Sequence, residues 1–158
     1  MLPRTPRCRR EQPIMISAKL VAMIEDHADQ LTAGLVGYLQ RHPRTSAYHT
    51  FARSELHTRA YDVYRNLGTW IAGKSETEIE SAYVDLGTRR FQESIPLSQV
   101  IFALVLTKDH LLSYVKMSGL SDSALDLYQE LELIRVVGRF FDKAIYYTVH
   151  GYEQAAGR

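Results

Sequence analysis

The sequence predicts an all-α domain of five helices. Three observations carry that expectation. Apolar residues recur at helical spacing in five consecutive segments, proline or glycine punctuates the boundaries between them, and no run of weight alternates apolar and polar residues as a half-buried strand would. The length of 158 residues suits one domain, which removes roughly two thirds of its unfolded surface from water. Apolar residues make up 46% and charged residues 23%, an ordinary globular balance.

The first helix is expected over residues 16–40, on a stripe of Leu20, Ile24, Leu31, Leu35 and Tyr38. His27 falls on that stripe and is expected as a core histidine bonded through one ring nitrogen. His42-Pro43 stops the helix, because a residue before proline avoids the α region. The second helix is expected over 48–71, with Ser46 as N-cap and Phe51, Leu56, Val63, Leu67 and Trp70 facing inward. Gly73 ends it in a left-handed cap.

The third helix opens with a capping box, Ser75 to Glu78, and runs to about 93 on a stripe of Ile79, Ala82, Tyr83, Leu86 and Arg90. Pro96 pre-sets the first turn of the fourth, over 97–117. Leu97, Ile101, Leu104, Val105, Leu111, Leu112 and Val115 are its main face. Phe102, Ala103, Leu106 and Tyr114 make the other side apolar too, so it belongs at the centre or under a partner. Gly119 terminates it. The fifth helix, capped by Ser121 or Asp122, covers 123–152, about 45 Å at 1.5 Å per residue. Leu127, Leu131, Ile134, Gly138, Phe141, Ile145, Thr148 and Tyr152 repeat at alternating fours and threes, a heptad-like seam expected to pair with a second copy. Gly138 admits a close neighbouring helix.

Residues 1–13 hold three prolines and four arginines (Arg4, Arg7, Arg9 and Arg10), and are expected to be a disordered basic arm; Met15 is a second candidate start. The arm's alternative is a contact to a phosphate backbone. The arm carries +3, so the +1 of the whole chain leaves the folded body at −2. Neither nucleic acid nor an anionic membrane is therefore an expected partner. Cys8 is the only cysteine, which excludes an intramolecular disulfide and fits a reducing, cytoplasmic setting. No apolar run reaches the ~20 residues of a membrane span.

Chemistry-bearing patterns are scarce. No Glu-x-x-His or His-x-x-x-His pair places two ligands on one helix face. No Gly-x-Ser-x-Gly, Gly-x-Gly-x-x-Gly or Walker sequence occurs. The expectation is a non-enzyme with no metal and no cofactor. If a ligand is held, His27, Trp70, His110 and Tyr114 are the candidate contacts. His110 stands beside Leu106 and Tyr114, away from the main face of the fourth helix, and a haem- or small-ligand-binding alternative would use His110 or His27. Arg89, Arg90 and Glu93 are a candidate partner patch, whose plainer alternative is a solvated helix end.

The stretch from Gly87 to Val100, Gly-Thr-Arg-Arg-Phe-Gln-Glu-Ser-Ile-Pro-Leu-Ser-Gln-Val, together with Gly151-Tyr152, resembles the N-terminal sensor domains of RsbR-type proteins, the RsbT co-antagonists of the stressosome, over about residues 16–153. Ser94 stands where that family commonly has glycine. The resemblance implies a globin-like helical fold without haem, a homodimer, and signalling to a STAS- or kinase-type partner. It supplies no catalytic residues. Members of that family carry such an output domain after the last helix, whereas this sequence stops at Arg158, as a stand-alone module or a fragment.

Overall fold

A computed structural model describes residues 18–118 and 123–157. The described residues are all-helical, with no strand among them, but they form eight helical segments rather than five. They are α1 (Ala18–Asp26), α2 (Ala28–Leu39), a 3-10 turn (Pro43–Tyr48), α3 (Arg53–Arg65), a π turn (Thr69–Gly73), α4 (Glu76–Gln92), α5 (Leu97–Ser118) and α6 (Ala124–Ala155). The expected basic arm, Cys8, Gly119, Ser121 and Asp122 lie outside the described residues.

The expected first helix is two. His27 leaves the α region (φ −103°, ψ 14°), its N–H shared between the carbonyls of Met23 and Ile24. Its Nδ1 lies 2.8 Å from the Met23 carbonyl, and the ring is exposed, not in the core. The break resets the helical phase. Past it, Ala28, Leu31, Thr32, Leu35, Val36 and Leu39 are buried, while Tyr38, expected inside, is 48% exposed.

The second expected helix starts later than its pattern suggested. Ser46 and Tyr48 belong to the 3-10 turn, which Pro43 begins and the His42 ring caps by accepting from the Arg44 N–H. This turn buries Tyr48 beneath α4 and α5. Leu56, Val63, Leu67 and Trp70 do face inward. The segment ends in the π turn, where the Lys74 N–H reaches Thr69; Gly73 closes it without a positive φ.

Helix α4 keeps its expected start and end. Ser75 Oγ accepts from Glu78 N–H and the Glu78 carboxylate accepts from Ser75 N–H. Those bonds hold the Glu78 carboxyl below its usual range. At the other end, Ser94 N–H donates to Phe91 and Ile95 N–H to Arg90, the two bonds of a Schellman cap. That cap requires the left-handed conformation at Ser94, whose φ is 59°, the one positive value at a non-glycine among the described residues.

Helices α4 and α6 are the central pair and meet backbone to backbone. A Cβ on Gly87 would lie 2.0 Å from the Thr148 carbonyl oxygen, and one on Gly151 would lie 2.1 Å from that of Val84. Thr148 turns its hydroxyl back to Ala144, which keeps this buried polar group satisfied. Two surface bonds to Glu76, from Lys143 (2.6 Å) and Tyr147, tie the start of α4 to α6. They hold the Glu76 carboxyl low and push the Tyr147 phenol up to about 12. Helix α5 packs on α6, on α2 and on the 3-10 turn, and α3 packs on α2. Its buried line is Val100, Ala103, Leu111 and Val115, so only part of the expected main face is innermost. Leu97, Ile101, Leu104, Val105 and Leu112 are half-buried around it.

Helix α6 is capped by Ser123, whose Oγ accepts from Asp126 N–H. It spans 32 residues and continues through Gly151 to Ala155. Its buried residues begin only at Leu133, so the first turns run past the core.

Candidate functional site

A pocket of about 100 Å³, partly open to solvent, lies between α2, α3, α4, α5, α6 and the 3-10 turn. Leu35, Leu39, Leu56, Val63, Val100, Ala103 and Phe141 make most of its wall apolar. Each sits there because it lies on the buried stripe of its helix. Five side chains bring polar groups to the lining: Arg59 from α3, Tyr83 and Arg90 from α4, Thr107 from α5, and Tyr48.

Glu93, just past α4, joins the two arginines. Arg90 Nη1 donates to Oε2 at 2.7 Å and Arg59 Nη2 to Oε1 at 3.2 Å. Arg90 is 5% exposed, and its guanidinium lies over the rings of Tyr48 (5.3 Å) and Phe51 (5.7 Å). A buried guanidinium needs such company, because taking the charge from water is costly unless it is paired. Two cations against one carboxylate leave one positive charge at this end of the cavity. Burial, with Glu93 adding to it, pushes the Tyr48 phenol well above its ordinary pKa, so it stays a neutral hydroxyl. Arg59 Nη1 is shut from solvent and has no hydrogen-bond partner.

The expected site residues are distributed differently. Arg90 is not on an exposed patch; it turns inward because it continues the α4 stripe of Ile79, Tyr83 and Leu86. Arg89 is exposed, and Glu93 faces the two arginines. Trp70 packs edge-on against Tyr83 and beside Phe140, with Nε1 donating to Asp62 (3.1 Å) and Lys74 over its ring. The other three candidate ligand contacts are elsewhere, where α5 meets α2 and the break that precedes it. The His27 ring is 6.1 Å from that of Tyr114. His110 shares a shallow groove with Leu35, Tyr38, Leu106, Asp109 and Ser113. Its ring covers Gly34, and burial lowers its pKa against the raising effect of a bond with the Leu31 backbone. Neither histidine lines the central cavity.

The seam on α6 also divides. Leu127 and Leu131 are 49% and 57% exposed, Ile134 and Ile145 are half-buried, and Gly138 has no atom within 4 Å of a built Cβ. Phe141 and Thr148 are buried in this chain's own core, and Tyr152 packs on Phe91 and donates to the Ile95 carbonyl at 2.7 Å. A straight helix has 3.6 residues per turn, so a 3.5-residue pattern drifts about 20° each heptad. The seam therefore begins on the free face and ends against α4. Within the chain the close backbone approach is at Gly87 and Gly151, and Gly138 is left open.

Arg59 and Tyr48 are not among the expected site residues. Arg59 did carry a signal, an arginine three residues after Leu56 and four before Val63, on the stripe that packs inward. Tyr48 had none, because the 3-10 turn that buries it is set by tertiary contact. Among the described residues no three His, Cys, Asp or Glu side chains gather as metal ligands, and no helix is long and apolar enough to cross a membrane. Comparison with family models, with curated proteins and with solved structures finds no match to this chain.

Proposed function

We propose that this chain is a non-catalytic sensory and protein-interaction module that acts as a homodimer and passes its signal along α6. The observation that carries the reading is the shape of α6. One uninterrupted helix walls the cavity through Phe141 and then runs beyond the core, where Leu125, Leu127, Tyr128 and Leu131 stand 49–57% exposed. Met117, at the adjacent end of α5, is 88% exposed. A soluble monomer seldom gathers this much apolar surface at one end without covering it. Gly138, open on the same face as Leu131 and Ile134, gives a second helix room to approach closely. Because the helix is continuous, a change in packing at Phe141 shifts the free turns as a rigid rod, and two packings differing by a few kcal/mol suffice to switch it.

The resemblance to RsbR-type sensor domains points the same way, to a cytoplasmic homodimer and a STAS- or kinase-type signalling partner. The Schellman cap at Ser94 adds a physical reason to that likeness, since the position at which the family favours glycine is the one that needs a positive φ.

Native mass spectrometry of the full chain, alone and as the Leu127→Glu, Leu131→Glu double variant, tests the reading. Burying a whole leucine is worth about 1.5–3 kcal/mol, so a half-exposed one offers about 1. Two leucines on each of two copies make about 4 kcal/mol, close to a thousandfold in the dissociation constant. The wild type is expected as a dimer and the variant as a folded monomer. A wild type that stays monomeric, or a variant that dimerises equally well, refutes the proposal.

A further inference from the structure

We infer that the central cavity is a binding site for a small amphipathic carboxylate, with its carboxylate on Arg59 and Arg90 and an alkyl tail of about five carbons among the apolar side chains. Three observations meet here. The cavity holds about 100 Å³ and is partly open to solvent, so it has room for a short alkyl chain rather than a fatty acid of full length. Its polar end holds two guanidiniums and one carboxylate, and the surplus positive charge calls for one more anion. Arg59 Nη1, shut from water, is a donor without an acceptor, and such groups in folded proteins ask for an explanation. A ligand carboxylate supplies the missing acceptor, and the guanidinium fork matches its two oxygens.

A route inward is also present. Arg59, Val63, Tyr83 and Leu86 line both this cavity and a wider surface groove of about 530 Å³, so Arg59 forms part of the partition between them. Its side chain is 30% exposed, which lets it meet the carboxylate outside and follow it in. The apolar tail then lies against Phe141, the residue through which α6 walls the cavity. Such a ligand is the input of the sensory reading above. Binding is measured separately from subunit count, so either can fail alone.

The test is calorimetric titration of the full chain with hexanoate, with hexan-1-ol (same tail, no charge) and with acetate (same charge, no tail). Hexanoate is expected to bind one per chain, about tenfold more tightly than hexan-1-ol, the factor a charge-assisted hydrogen bond supplies, and acetate is expected not to saturate. Arg59→Gln, checked for an intact circular dichroism spectrum, is expected to lose that tenfold preference while binding hexan-1-ol as before. Equal affinity for hexanoate and hexan-1-ol would mean an apolar packing void and overturn the assignment. So would the absence of saturable hexanoate binding to the wild type, or an Arg59→Gln chain that keeps the preference.

Discussion

Placing one methyl group between α4 and α6, by Gly87→Ala, should loosen the central helix pair. The added Cβ would meet the Thr148 carbonyl oxygen at 2.0 Å and the Tyr152 nitrogen at 2.7 Å, where ordinary contact begins at 3.4 Å. The two backbones must part by about 1.4 Å, and neither obstacle is a side chain that can swing away. Overpacking a tight interior costs about 1–3 kcal/mol, and a backbone collision belongs at the upper end. Alanine returns about 1 kcal/mol through its better helix propensity. The net loss is about 2 kcal/mol, a large part of the stability of a domain this size. At about 2–4 °C per kcal/mol, the thermal midpoint should fall by about 4–8 °C. Gly138→Ala is the matched control, because its Cβ meets nothing within 4 Å and only the propensity gain of about 1 kcal/mol remains. The assay is thermal and urea unfolding followed by far-ultraviolet circular dichroism, at a concentration where the chain is monomeric, so that the partner seam does not contribute. Opposite signs for the two variants are expected. A Gly87→Ala chain as stable as the wild type would refute the backbone contact between α4 and α6.

Ser94→Gly should stabilise the chain by about 1 kcal/mol, because it removes the cost of a left-handed residue at φ 59° while keeping both Schellman bonds. Urea unfolding with an unchanged slope and a higher midpoint reads this out; a lower midpoint would show that serine makes a contact worth more than the strain. Burial depresses the His110 pKa in the folded chain, so the unfolded chain binds its proton more readily. The stability that His110 withholds is therefore present above the unfolded value of about 6.5, declines as pH falls through it, and levels off below the depressed folded value. His110→Gln should flatten that part of the stability curve relative to the wild type. Identical pH dependence in the two chains would show that His110 is no more buried than an unfolded histidine.

How much of the molecule could be read without its tertiary structure follows from the range of the forces involved. The all-α class, the capping box at Ser75, the end of α4 near Glu93 and the start of α5 after Pro96 are consequences of bonds between residues three to five apart, and these the sequence determined alone. The same holds for the inward stripes of α3 and α4, on which Arg59 and Arg90 lie, although the partner patch expected at Arg90 and the silence on Arg59 show that a stripe alone does not reveal a cavity wall. The break at His27 was not legible, since Leu20, Ile24, Leu31 and Leu35 form an acceptable helical pattern across it. Nor was the burial of Tyr48, which depends on α4 and α5 closing over a 3-10 turn. The seam on α6 is the plainest case. Its heptad spacing is real, but periodicity does not say which of two apolar faces a neighbour will take. Gly87 and Gly151 decided that: two facing glycines let α4 and α6 approach until their backbones touch, which draws Phe141, Thr148 and Tyr152 inward and leaves Leu127 and Leu131 outside. Local bonds and composition determined what the helices are. The choice of which surfaces meet, and so the place of the cavity and of the free end of α6, came only from packing between residues as far apart as Gly87 and Gly151 in the chain.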